Sequence, residues 1–308
     1  MGFTLLSRHS HWEAAVHLLT VSILVFVLLL GWTLNAYGEP STSRPDSYAI
    51  LQGRLVGDGF DESLIRSLYS RPEVTFDQRG LTAYYSHREA TLNYDQFSTQ
   101  SSIDQAIGYL GQHQKALKHT QDVYGVDQEV ITAIILVESR LGTYIGKRLV
   151  LNTLSAMAAL DDKDTRDSLW AFYVKDKVGG SKDKFDTWAR RKSAWAYREL
   201  KAYLKYAKTQ GLDPLSMCGS YAGALGIAQF IPSSVLEFAQ DGNQDGQINI
   251  YHHEDAIESI ANYLKRHGWR PGLSRDERFR VLLHYNRSKY YAETILKVAE
   301  RLGELQTR

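Results

Sequence analysis

Residues 130–142, Val-Ile-Thr-Ala-Ile-Ile-Leu-Val-Glu-Ser-Arg-Leu-Gly, form an apolar run that ends in one carboxylate. At 3.6 residues per turn, Ile131, Ile134, Ile135 and Glu138 share one face, so the pattern predicts a helix with its acid on the stripe to be buried. Asp127 stands where an N-cap is expected. Upstream, residues 60–69 read as a short amphipathic helix capped by Asp61 and stopped by Pro72, while residues 74–94 are poorly periodic and suggest short extended pieces. Ser102-Ile103-Asp104-Gln105 fits a capping box, after which Ile103, Ile107, Leu110 and Leu117 continue one helical stripe towards Tyr124. Downstream, residues 149–160 predict another apolar helix. Residues 182–208 carry nine Lys or Arg side chains interleaved with Trp188, Trp195, Tyr197, Tyr203 and Tyr206, and residues 254–267, 275–285 and 290–302 complete a helix-rich half. The fold class expected from this pattern is mainly α.

The N-terminus has a different pattern. From residue 14 to 38 there is no Asp, Glu, Lys or Arg, and 16–34 is dominated by Leu, Val, Ile and Phe. A bilayer core needs about 20 apolar residues, so the run is long enough to span it. Arg8 precedes it with no acid before Glu13, which predicts a cytoplasmic N-terminus and an exported remainder. Ala36-Tyr37-Gly38 resembles a signal-peptidase site, so residues 1–38 are read as a signal-anchor or a cleaved signal peptide. Residues 39–59, which open with Glu-Pro-Ser-Thr-Ser-Arg-Pro-Asp, are expected to be a linker, and 60–308 the folded domain.

Composition narrows the chemistry. With 308 residues, 44% of them hydrophobic, the chain can bury a sizeable core. The 36 basic and 35 acidic side chains nearly cancel and give no reason to expect nucleic acid as a partner. Cys218 is the sole cysteine, which excludes an intramolecular disulfide and a Cys-based zinc site. The 19 tyrosines would suit a cleft that stacks sugar rings, although aromatic residues also build cores. The basic run at 182–208 admits two readings, a surface for an anionic polymer or lipid headgroups and a solvated helix face.

Three stretches carry candidate chemistry. Burial disfavours a charged carboxyl, so Glu138 on an apolar stripe suits a general acid; the alternative is a helix-end Glu paired with Arg140 or turned to water. Residues 219–234 pack three glycines and three alanines into a short space, allowing close backbone approach and leaving Ser220, Gln229 and Phe230 to address a ligand. Residues 241–249 reproduce the front half of an EF-hand loop: Asp241, Asn243 and Asp245 at positions 1, 3 and 5, Gly246 at 6, and Gln247 offering a carbonyl at 7. His252 occupies position 12 in place of the usual Glu, and Glu254 or Asp255 would have to reach back in a longer loop. A divalent cation, calcium first, is expected there.

Together these stretches, with Tyr285-Asn286-Arg287-Ser288 and Tyr290-Tyr291, resemble the MltB-type family of lytic murein transglycosylases from about residue 60 onward. The most specific part is Gly-Ser-x-Ala-Gly-Ala-x-Gly-x-x-Gln-Phe-x-Pro-Ser-Ser. The resemblance implies a helix-rich, lysozyme-like (α+β) domain in which Glu138 is the only catalytic carboxylate. It would cleave the β-1,4 bond between N-acetylmuramic acid and N-acetylglucosamine in peptidoglycan, leaving a 1,6-anhydromuramic end. By position in the motifs, Ser220 and Asn286 would hydrogen-bond the muramyl sugar, with Gln229, Phe230, Tyr285, Tyr290 and Tyr291 lining subsites. The late acid of the family's extended EF-hand-like site corresponds to Asp255. Relatives carry adjacent arginines thought to meet the peptide stem; near the matching place only Arg166 is found. The chain is also longer than the family between Asp167 and Gly219, which puts an inserted basic segment at about 176–205. The expected setting is the bacterial cell envelope, inner-membrane anchored with a periplasmic catalytic domain or secreted to the periplasm. Glycan strands are the expected partner and cell-wall synthesis proteins the candidates beyond them. A hydrolase of the same bond and a catalytically idle glycan-binding scaffold are the competing readings.

Overall fold

The Glu138 helix runs Gln128–Ser139, and every residue from Val130 to Leu136 is buried. The sequence pattern predicts one apolar stripe; the helix is instead enclosed on all sides, as an element at the centre of a core must be. The C-terminal helix Lys289–Gln306 packs along it, with Gln100–Gln112 and Gln114–Tyr124 on its other flanks. The computed structural model describes residues 48–86, 93–178 and 180–306. The apolar run at 14–38 lies outside the described residues, and among those described no helix is long and apolar enough to cross a membrane.

A second layer is built on Val150–Ala158, buried at every position, which packs against the long helix Lys182–Thr209. That helix also carries the short helix Pro232–Phe238. Two short strands join the layers: β1 (Arg148–Leu149) and β2 (Cys218–Gly219) pair antiparallel, Arg148 opposite Gly219 and Leu149 opposite Cys218. Their approach explains Gly146, where φ is +91° and an added Cβ would come 2.0 Å from the Gly219 carbonyl oxygen. The chain is thus mainly α, with this small ladder as the β contribution among the described residues.

Several local expectations hold. Asp61 caps Glu62–Tyr69 by accepting from the Leu64 amide at 2.7 Å, and the C-terminal helices fall at His253–Arg266, Arg275–Tyr285 and Lys289–Gln306. Others are corrected. The linker ends earlier than residue 59, because Ala49–Gly57 is a helix whose Leu51 and Leu55 are buried, with Tyr48 donating to the Thr75 carbonyl at 3.0 Å. In place of extended pieces, Gln78–Ser86 is helical, begun by Asp77, which accepts from the Gly80 amide and pairs with Arg148 at 2.6 Å. Asp127 sits at the N-cap of the Glu138 helix, but its carboxylate makes no capping bond and faces Arg278 at 3.3 Å. The helix foreseen from Ser102 starts at Gln100 on a Thr99 cap and breaks at His113, whose ring stacks on His253. Ile107, which the stripe would have buried, is exposed.

The basic stretch is the largest correction. It is neither an appended surface insertion nor a wholly solvated helix, since Phe185, Ala189, Leu200, Tyr203, Tyr206 and Ala207 bury one full side of Lys182–Thr209 in the core. Part of its charge is engaged: Lys182 bridges Asp167 and Asp186, Lys201 pairs with Asp58, and Lys192 donates to the Tyr84 hydroxyl while lying 5.2 Å from the Trp195 ring centre. Arg190 and Arg191 stay exposed.

Candidate active site

Glu138 occupies the last turn of its buried helix and is half-exposed, the point where an enclosed element reaches the surface. The chain leaves that helix abruptly. Arg140, Leu141 and Gly142 take φ values of 48°, 59° and 84°, three successive left-handed residues of which two carry side chains. Each such non-glycine residue costs of order 1 kcal/mol or more and persists only where its surroundings impose it. Here Ser139 holds the turn: its Oγ accepts from the Gly142 amide at 3.0 Å and its carbonyl from the Tyr144 amide at 2.8 Å. The Arg140 guanidinium is sent outward, donating to Gln96 Oε1 at 2.6 Å beside the Phe97 ring.

Two buried tyrosines lie close to the acid. Tyr291, on the C-terminal helix, is buried, and its hydroxyl lies against the Glu138 carboxylate without a well-aligned hydrogen bond of its own. Tyr285 donates to the Ala228 carbonyl at 2.6 Å. Burial first, and then the Glu138 charge, holds both hydroxyls well above the ordinary tyrosine range. The two rings stack at 6.2 Å with a 9° interplanar angle. Tyr290, next to Tyr291, is instead turned to solvent at 67% exposure.

The glycine-rich segment is fastened to both sides of this acid. Gln229, at φ 49°, donates from Nε2 to the Gly226 carbonyl at 2.8 Å and the Ile145 carbonyl at 3.2 Å, tying the segment to the loop after Gly142. Tyr285 ties it to the C-terminal helices through Ala228. Ser220 Oγ accepts from the Ala222 and Ala224 amides at 3.2 and 3.0 Å; with both acceptor positions spent, its O–H remains to donate. Asn286 ends the helix Arg275–Tyr285 and accepts from the Ser288 amide at 3.0 Å through Oδ1.

Two sequence-level assignments do not survive the geometry. Phe230 is 3% exposed and packs on Tyr263 and Tyr285, so it supports the site from the core and lines no open subsite. Arg166 is 7% exposed, and its Nη1 donates to the Leu160 and Asp161 carbonyls, where it closes the end of a helical turn. The adjacent, exposed arginines are Arg190 and Arg191 on the long helix. Their adjacency is the sequence signal for such a pair, masked by the basic residues around it.

The loop 241–249 is folded on its own carboxylates. Asp241 accepts from the Asp245 and Gly246 amides, Asn243 Oδ1 from the Asp245 amide, and Asp245 Oδ1 from the Gln247 amide at 2.8 Å. The last bond, with the Asn243 side chain next, holds the Asp245 carboxyl below its usual range. Asp255, fully buried at the start of His253–Arg266, accepts from the Gly242, Asn243 and Asn249 amides and so joins the two ends of the loop. Burial pushes its carboxyl up, against the pull of those amides. The side chains offered by Asp241, Asn243 and Asp245 are oxygen donors with further lone pairs, the donor type a hard cation takes. Among the described residues, however, no three His, Cys, Asp or Glu side chains gather as a metal site requires.

The sequence profile of the Transglycosylase SLT domain family matches residues 45–277. Membrane-bound lytic murein transglycosylase B of Escherichia coli (strain K12) is 34% identical over 184 residues, covering 59% of this chain and 43% of that protein, so the match spans less than half of the relative's length. Among solved structures, soluble lytic transglycosylase SltB1 of Pseudomonas aeruginosa superposes with a TM-score of 0.68 at 23% identity, over 86% of this chain and 100% of that one. Escherichia coli lytic transglycosylase Slt35, solved in complex with calcium, superposes with a TM-score of 0.66 at 24% identity over 85% and 94% of the two chains. At these identities the superpositions establish the lysozyme-like lytic transglycosylase fold. The profile match covers most of the chain, and this protein belongs to the Transglycosylase SLT domain family.

Proposed function

We propose that this protein is a lytic transglycosylase that cleaves the β-1,4 bond between N-acetylmuramic acid and N-acetylglucosamine in peptidoglycan and leaves a 1,6-anhydromuramic end. The observation that carries the reading is Glu138 at the last turn of a buried helix, close to the buried Tyr285 and Tyr291, with the glycine-rich segment hydrogen-bonded both to the loop that follows the acid and to Tyr285. The last turn of a helix carries partial negative charge, which favours a neutral acid there over a carboxylate. Glu138 donates this proton to the leaving glycosidic oxygen, while the substrate's own acetamido carbonyl supports positive charge at the anomeric carbon. Glu138 then takes the proton of the C6 hydroxyl as that oxygen attacks the anomeric carbon of the same sugar. One carboxyl serves both steps, unlike the paired acids of the usual glycosidase.

The Ser220 hydroxyl proton and the Asn286 amide are suited to hold the muramyl sugar, and exposed Tyr290 to offer a ring face beyond it. Gln229, Tyr285 and Phe230 act through the shape of the site. Arg190 and Arg191 take over the role in meeting a peptide stem that Arg166, spent on backbone carbonyls, leaves open. The loop oxygens of Asp241, Asn243 and Asp245, the Gln247 carbonyl and the Asp255 carboxylate are the groups that would hold calcium. The ion would supply structural tethering and no chemistry. The calcium complex of the fold relative Slt35 supports that assignment. The apolar run at 14–38 and the membrane-bound relative favour a cell-envelope protein held at the membrane.

Glu138→Gln keeps the side chain's shape and cannot deliver a proton. It should abolish release of soluble fragments from purified peptidoglycan while the variant still folds and binds glycan; release at a near wild-type rate would refute the assignment.

A further inference from the structure

The strained turn behind Glu138 is seated on an imidazole. A Cβ added to Gly142 would come 2.7 Å from Cε1 and 3.2 Å from Nε2 of His253, and 3.5 Å from Ile227 Cδ1, so the ring lies directly on the glycine backbone. That ring is itself held in place. Its Nδ1 is 2.9 Å from the hydroxyl of buried Tyr109, and its face stacks on His113 at 4.5 Å with a 27° interplanar angle. Tyr109 and His113 stand at the end of Gln100–Gln112, a helix that packs against the Glu138 helix. His253 opens the helix His253–Arg266, whose Asp255 joins the two ends of the 241–249 loop. One ring therefore connects that loop, the flanking helix and the turn that follows Glu138.

The geometry points to His253 as a positioning residue for Glu138: without touching substrate, it holds residues 140–142 in the left-handed path that aims the acid. This rests on the catalytic reading of Glu138. The ring's bulk against Gly142 is what the role requires, and Gly142 is the residue with no side chain to hold the ring off.

The test is a set of kcat and KM measurements on purified peptidoglycan with the full chain. Small displacements of a reacting group cost rate steeply, so His253→Ala should lower kcat about tenfold or more with KM changed less than about twofold. His253→Phe keeps a ring against Gly142 and should recover most of that loss, which a merely stabilising role would not require. Gly142→Ala should lower kcat alone, and adding His253→Ala to it should restore part of the loss by making room for the methyl group. A His253→Ala variant with wild-type kcat, or a phenylalanine variant no better than the alanine one, overturns the role. If His253→Ala does not fold, Gly142→Ala decides, and wild-type kcat in that variant overturns the role equally. Wild-type protein that releases nothing refutes the catalytic reading itself, and the positioning role with it; an active wild type beside an unaffected variant refutes only the positioning role.

Discussion

The buried carboxylate of Glu199 accepts both the backbone amide and the hydroxyl of Ser233, at 2.9 and 3.1 Å. Glu199 lies on the long helix Lys182–Thr209, and Ser233 follows Pro232 at the start of the next short helix. The first amides of a helix lack intrahelical partners, and Ile231 at the N-cap position supplies no side-chain bond, so a carboxylate from a neighbouring helix does the capping. The end of the glycine-rich segment is thereby fixed to the helix that the sequence suggested was an insertion.

Glu199→Ala leaves the part-buried amide and hydroxyl of Ser233 without their acceptor and should lower the unfolding free energy by about 1–2 kcal/mol, measured by chemical denaturation. At a temperature where the variant remains folded, its kcat should stay near wild type, the opposite outcome to Glu138→Gln. A large kcat loss in folded Glu199→Ala would move Glu199 from the frame into the chemistry.

A calcium-bound loop predicts a metal-dependent melting temperature. A ligand that binds the folded state alone raises stability by RT ln(1 + [L]/Kd), about 2.7 kcal/mol at a hundredfold excess over Kd. A chelator should lower the melting temperature and calcium restore it, and Asp245→Ala should remove the response. Melting curves that coincide with and without calcium would make 241–249 an ordinary turn folded on its own carboxylates.

The exchange of Arg166 for Arg190 and Arg191 predicts two distinct phenotypes. Neutralising Arg190 and Arg191 together should raise KM for peptide-bearing strands while leaving naked glycan and thermal stability unchanged, since both side chains are exposed. Arg166→Ala should instead lower stability by leaving the buried Leu160 carbonyl, and with it the part-buried Asp161 carbonyl, without a donor. Equal KM values on peptide-bearing strands for the double variant and wild type would remove the arginine pair from substrate recognition.

The parts of the fold that were legible in the sequence are those decided locally. Asp61 caps its helix with its own side chain, and the helices after residue 252 follow their apolar period. The parts that were not legible are decided by tertiary contact. Gln78–Ser86 depends on Asp77 meeting Arg148, 71 residues away, and Ala49–Gly57 is a nine-residue helix that acquires its meaning by burying Leu51 and Leu55. The site divides in the same way. Glu138, Ser220 and the Asp241 loop are marked by residue types that a local motif requires, whereas an aromatic such as Phe230 reads alike in a cleft or a core. The seat of Gly142 on His253 spans more than a hundred residues and left no periodic trace.

The central claim is that the C6 hydroxyl of the cleaved sugar, and not water, is the nucleophile. Mass analysis of fragments released from purified peptidoglycan by wild-type protein tests it directly. Attack by the C6 hydroxyl gives muramyl ends lighter by one water than hydrolytic products and resistant to borohydride reduction. Fragments that all carry reducible muramic ends would contradict it and make the protein a lysozyme-like hydrolase built on the same fold.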